Sequence, residues 1–144
     1  MIVYCDTSAL LKLYIDEPHS PPMRDMATQA DMLAVCRIAW AEAHAAFARL
    51  ARERPMDRQT LALAARALAD DWPHYLVEDV SQSVVERAAD YADNFALRGY
   101  DAVQLAACAS LARDTQRPVS FACFDLRLNK AARVLGLDTP FLNV

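Results

Sequence analysis

Four acidic residues stand where an acid needs a reason: Asp6, Glu42, Asp101 and Asp125. Asp6 closes the apolar run Ile2 to Cys5, and Asp125 closes the run Val119 to Phe124. In an open parallel α/β sheet, ligands bind outside the carboxyl ends of the strands, so both acids are delivered to one edge. Glu42 interrupts Ile-Ala-Trp-Ala-Glu-Ala-His-Ala-Ala-Phe, and Asp101 stands in Arg-Gly-Tyr-Asp-Ala-Val-Gln-Leu-Ala-Ala. A carboxylate set among apolar residues requires a cation or a hydrogen-bond donor. Helix capping and the helix dipole explain any one of the four taken singly. Taken together, four carboxylates on one edge repel one another unless a divalent cation joins them. Magnesium and manganese favour such oxygen ligands.

The elements that must position these acids can be read from the hydrophobic pattern. Ile2–Cys5, Met32–Cys36, Tyr75–Val77 and Val119–Phe124 are predicted strands, and Phe141-Leu142 is predicted as a final edge strand. Between them run helical patterns. The first carries Leu10, Leu11, Leu13 and Tyr14 and ends at Asp16-Glu17-Pro18. Pro21 and Pro22 precede a second helix that reaches about Ala30. Ile38 to Arg54 is alanine-rich, with Pro55 to stop it and Asp57 to cap the next helix through Leu61, Ala65, Leu68 and Trp72. Ser81 opens another, Asp101 a sixth, and Arg127 to Leu135 a last one, with Gly136 as its C′ residue. Short apolar runs alternating with helices indicate a three-layer α/β/α sandwich around a mostly parallel sheet of about five strands. No linker or repeat divides residues 1–144, so one domain is expected.

Composition narrows the function classes. At 144 residues, 55% hydrophobic and only 2 glycines, the chain is expected to be a helix-rich globule rather than disordered. No run of 18 apolar residues marks a membrane span, and Met-Ile-Val-Tyr-Cys-Asp lacks the basic start of a signal peptide, so a cytoplasmic protein is expected. Cys5, Cys36, Cys108 and Cys123 show no zinc or redox spacing and are read as reduced core thiols. A net charge of −4 is unusual for a partner of nucleic acid. Setting the four site acids against a bound cation leaves 15 acids facing 15 basic residues, so a local basic rim can still guide phosphates.

The segments Val-Tyr-Cys-Asp-Thr-Ser-Ala-Leu-Leu-Lys-Leu-Tyr, Ala-Glu-Ala, Leu-Arg-Gly-Tyr-Asp-Ala-Val-Gln-Leu-Ala and Phe-Asp-Leu-Arg-Leu-Asn-Lys-Ala-Ala resemble the PIN-domain family, most of all its VapC-type toxins. Their order and spacing fit across essentially the whole chain. The resemblance implies a PIN-like fold, magnesium- or manganese-dependent endoribonuclease activity, a homodimer, and inhibition by a small cognate antitoxin. The family's acidic positions match Asp6, Glu42, Asp101 and Asp125, which are thereby the expected catalytic and metal-binding residues. Asp6 is expected to be the central ligand, with Asp101 and Glu42 completing the set and Asp125 binding a second ion or acting through water. The ion would activate water against an RNA phosphate, leaving a 3′-hydroxyl and a 5′-phosphate. Two departures bear on the surroundings of the ligands. Cys123 stands where Thr or Ser is common, two residues before the last acid. Gln104 stands where His is frequent, three residues after the third.

Two other readings compete. Phosphotransferases with an aspartate nucleophile also begin with a strand ending in Asp-Thr, but the haloacid dehalogenase type needs a second Asp where this chain has Ser8. A catalytically inactive PIN-like module that binds RNA or protein would keep the fold, and the presence of all four acids argues against it. Thr7 and Ser8 are candidate donors to the acids as well as helix-start residues. Lys12, Arg98, Arg127 and Lys130 flank the motifs as phosphate contacts or as solvated charge. His19, His44 and His74 are too scattered for catalysis, and Trp40, Trp72 and Phe95 read as core or interface. The first helix carries more apolar surface than one side can bury, which would suit an antitoxin helix unless the chain covers that surface itself.

Overall fold

The computed structural model describes residues 1–144, and its strands follow the predicted order with one fewer member. Strands β1 (Ile2–Cys5), β2 (Met32–Cys36), β3 (Leu76–Glu78) and β4 (Val119–Ala122) form one sheet in the order β3-β2-β1-β4. All neighbours are parallel, with Ile2 opposite both Met32 and Val119, and Ala34 opposite Leu76. The expected fifth strand is absent. Phe141 and Leu142 lie in a turn, and the chain's return to the sheet is limited to a single bridge between Ser120 and Asp138. Phe141 is apolar because it packs against the core and stacks on Phe124 at 4.5 Å, rather than because it joins a ladder.

Seven α-helices cover the sheet: α1 (Thr7–Tyr14), α2 (Ser20–Gln29), α3 (Ala39–Glu53), α4 (Arg58–Asp71), α5 (Gln82–Phe95), α6 (Gly99–Thr115) and α7 (Leu126–Val134). Side chains alternate across a strand, so β1 divides its burial between two cores. Ile2 and Tyr4 pack with residues of α5, α6 and α7 on one face, whereas Val3 and Cys5 pack with those of α1 to α4 on the other. This is the expected α/β/α sandwich. Strands β1 and β4 are buried along their whole length, as a parallel sheet covered on both sides requires. All four cysteines are buried and unbridged. No helix is long and apolar enough to cross a membrane.

Several local expectations are corrected by packing. Pro21 and Pro22 sit inside the first turn of α2, where a missing N–H costs nothing, instead of before it. Asp57 stands at the start of α4 without a side-chain capping bond. Leu10 of α1 is fully buried, and Leu11, Leu13 and Tyr14 pack against the core shared by α2, α3 and α4. The chain's own helices thus cover Leu10 fully and Leu11, Leu13 and Tyr14 in part. Gly136 takes φ +82° immediately after α7, the left-handed conformation expected of a C′ glycine.

Candidate active site

Parallel strands end on the same side, and the two acids that follow β1 and β4 therefore share an edge with the helices they begin. Asp6 is the N-cap of α1: its Oδ1 accepts from the Ala9 N–H at 2.9 Å and from the Ser8 hydroxyl at 2.7 Å. Ser8 in turn accepts from the Phe124 N–H at 3.1 Å, which ties the start of α1 to the end of β4. Asp125 caps α7 by accepting from the Leu128 N–H at 2.8 Å. The simple capping role is real for both acids, and each such cap contributes about 1 kcal/mol. Capping does not account for the charge that surrounds them.

Asp6 is only 5% exposed, and burial pushes its carboxyl up to about 6 against the pull of its Ser8 and Ala9 hydrogen bonds, with the charge of Asp101 adding to the rise. Asp101, in the first turn of α6, is also raised. Burial is the main cause, the neighbouring carboxylates Asp125 and Glu42 add to it, and Arg98 opposes it. The four acids therefore lie within electrostatic reach of one another. None of them forms an ion pair with a lysine or arginine. They do not close into a group tight enough for three of them to grip one ion as they stand. Two are engaged as helix caps and Glu42 is held by its own donors.

Glu42, in the first turn of α3, is the acid with the most elaborate support. Its Oε1 accepts from the Thr7 hydroxyl at 2.8 Å and from the Gln104 amide at 2.8 Å. Gln104 also donates to Thr7 Oγ1 at 3.1 Å and accepts from the Tyr4 hydroxyl at 2.6 Å. Gln104 and Tyr4 are the residues that sequence reasoning underrated. The available signal was a lone polar residue in Ala-Val-Gln-Leu-Ala-Ala, three positions after Asp101 and hence on its face of the helix. Cys123, the other departure, accepts weakly from the Asp125 N–H at 3.3 Å and lies beside Asp6; its own burial, and after that the Asp6 charge, push its thiol up. It is an inert wall of the site.

Two cavities meet at Asp101 and Arg98. One of about 570 Å³ is lined by Arg98, Asp101, Asp125, Arg127 and Lys130, with Leu97 and Leu126 as its apolar part. The other, of about 700 Å³, runs between α5 and α6 and is largely apolar, with Glu42 and Asp101 at its end. The basic cavity contains three of the four cations singled out from the sequence. The fourth, Lys12, is committed elsewhere: it is 8% exposed, pairs with Glu17 at 2.8 Å and lies over the Phe124 ring at 4.6 Å. His44 turns back onto the Trp40 carbonyl at 2.8 Å, and Trp40 packs edge-on against Trp72 at 5.2 Å, so neither joins the acids.

The chain is similar to known proteins in sequence and in fold. The family model described as PIN domain matches residues 3–134. Ribonuclease VapC45 of Mycobacterium tuberculosis (strain CDC 1551 / Oshkosh) is 31% identical over 135 residues, which is 94% of this chain and 92% of that protein. Among solved structures, M. tuberculosis VapC20, described as a sarcin–ricin loop cleaving toxin, superposes with a TM-score of 0.63 at 16% identity, covering 90% of this chain and 94% of its own. A toxin–antitoxin complex from Klebsiella pneumoniae gives a TM-score of 0.54 at 16% identity, covering 85% of this chain and 86% of its own. With a family model that spans residues 3–134 and a relative of nearly equal length at 31% identity, the chain belongs to the PIN-domain family.

Proposed function

We propose that this chain is a divalent-metal-dependent endoribonuclease acting as the toxin of a toxin–antitoxin pair. The observation that carries the reading is the set Asp6, Glu42, Asp101 and Asp125 at the carboxyl edge of the sheet, with none of the four in an ion pair with a lysine or arginine. Such a donor set, all oxygen and all anionic, fits magnesium, with manganese as a substitute. Asp6 would be the central ligand, Asp101 and Glu42 would complete the set, and Asp125 would reach a second ion or act through water. When bound, the ion supplies an activated water and charge stabilisation at the attacked phosphate. The chain's own contribution is to orient these carboxylates through Ser8, Thr7 and the helix caps, and to hold RNA phosphates against Arg98, Arg127 and Lys130. A 3′-hydroxyl and a 5′-phosphate are the expected products. The purified chain, freed of any partner, should cleave RNA with magnesium or manganese and stop in EDTA. Undiminished cleavage in EDTA would overturn the mechanism.

The basic cavity gives a second expectation. Each phosphate contact to single-stranded RNA contributes about 0.7 to the slope of log affinity against log salt. Arg127→Ala and Lys130→Ala should each weaken RNA binding in EDTA across all sequences and flatten that slope by roughly this amount. A slope equal to that of the wild type in the double variant would place the RNA on another surface.

A homodimer, a cytoplasmic location and a small cognate antitoxin belong to the same proposal. The toxin–antitoxin complex among the structural neighbours and the VapC-type relative support it. Co-purification from the native host should recover a second short polypeptide. Recovery of the homodimer alone, from cells that tolerate overexpression without growth arrest, would count against it.

A further inference from the structure

We infer that Tyr4 and Gln104 are positioning residues, forming with Thr7 a directional hydrogen-bond chain that fixes the carboxylate of Glu42 for its metal ion. This rests on the metal-dependent reading above. Tyr4 is fully buried in β1, with its ring stacked on Phe121 at 5.7 Å between centroids. Its one hydroxyl proton goes to Gln104 Oε1 at 2.6 Å. That contact determines which way the Gln104 amide faces, because the oxygen is taken and the NH2 group must point the other way. Gln104 is 2% exposed, and its amide nitrogen donates to Glu42 Oε1 at 2.8 Å and to Thr7 Oγ1 at 3.1 Å. Thr7 gives its own proton to Glu42 Oε1 at 2.8 Å, so towards Gln104 it can only accept. The donors of the network therefore run in one direction, from Tyr4 through Gln104 and Thr7 to Glu42.

The consequence falls on Glu42. Both donors meet the same oxygen, Oε1, while Oε2 takes no hydrogen bond from the protein. Two donors on one carboxylate oxygen remove its freedom to rotate, and neither donor carries a charge that would compete with a cation. A lysine or arginine at position 104 would also hold Glu42, but by neutralising it. Burial matters as well: an unpaired amide or hydroxyl here would be costly, so the network holds as a unit. The chain runs from the sheet core through α6 to α3 and α1, which is how the rigid interior sets an acid on a different element.

Supporting groups of this kind change metal affinity or activity about 10–100-fold when removed. Calorimetric titration with Mn2+ in the absence of RNA reads the effect directly. Gln104→Met, close in shape and without donors, should raise the Mn2+ dissociation constant about tenfold. It should lower kcat similarly with KM for RNA unchanged, and RNA affinity in EDTA should match that of the wild type. Tyr4→Phe, which keeps the ring and its stack, should move the same quantities in the same direction by a smaller factor. Thr7→Val should behave like Gln104→Met, and Thr7→Ser should restore wild-type values. Circular dichroism and thermal melts identify a variant that fails to fold; should Gln104→Met do so, Tyr4→Phe and the Thr7 pair decide. Folded variants with the wild-type Mn2+ constant would overturn the inference while leaving the ribonuclease reading intact. A wild-type chain that binds no Mn2+ and cleaves no RNA would remove both.

Discussion

Asp6→Asn is expected to lower metal-dependent RNA cleavage by about a thousandfold, equivalent to about 4 kcal/mol of transition-state stabilisation, while making the metal-free protein more stable at neutral pH. The two effects have one origin. Asp6 is 5% exposed, and its carboxyl is pushed up to about 6 because its charged form is desolvated among other acids. A carboxyl with a raised folded pKa binds protons more tightly folded than unfolded. Stability therefore falls as pH rises from the ordinary carboxylate range to about 6, and the penalty is complete above that point. Its size is about 3 kcal/mol, at 1.36 kcal/mol per unit.

Asparagine removes this penalty and keeps most of the cap, since its side-chain oxygen can still accept from Ser8 and Ala9. In EDTA at pH 8 the variant should melt roughly 5–10 °C above the wild type. At pH 3, where Asp6 is largely protonated in both states, the gain should vanish. A variant that melts well below the wild type at pH 8 would show that Asp6 is retained chiefly as a structural cap. Metal binding should follow the same titration in reverse. A proton on Asp6 competes with the cation, so Mn2+ affinity should weaken as pH falls through 6.

Much of this site was legible because acids at strand ends obey a topological rule. Once Ile2–Cys5 and Val119–Phe124 are read as parallel strands, Asp6 and Asp125 must share an edge, and the structure places them there. Where reading failed, long-range packing had decided the outcome. Phe141-Leu142 has the composition of a strand but is held in a turn by stacking on Phe124, so the sheet stops at four strands. Lys12 has the sequence setting of a rim residue, yet Glu17 and the Phe124 ring draw it inward. The apolar excess of α1 reads as surplus until α3 and α4, dozens of residues away, are seen to pack over part of it. Gln104 is the instructive case: its neighbours in sequence show that it is out of place, but only its contacts with Tyr4, Thr7 and Glu42 show what it does.

Asp125 separates structural from chemical work in a way that two substitutions can read. It caps α7 through the Leu128 N–H, and it also lines the basic cavity beside Asp101. Asparagine is as good an N-cap as aspartate, so Asp125→Asn should leave stability within about 0.5 kcal/mol. Its effect on cleavage should still be large, about a hundredfold, because a neutral amide binds a cation poorly whether directly or through water. Asp125→Ala should show the same loss of cleavage and, with the cap gone, about 1 kcal/mol of lost stability. The charge change has a second readout at a neighbouring residue. Asp125 is one of the groups that raise Asp101, so NMR titration in EDTA should find the Asp101 carboxyl shifted downward in both variants. The common shift reports shared charge, and the difference in melting temperature reports the cap alone. An Asp125→Asn variant that cleaves at the wild-type rate would confine this residue to capping and leave the chemistry to Asp6, Glu42 and Asp101.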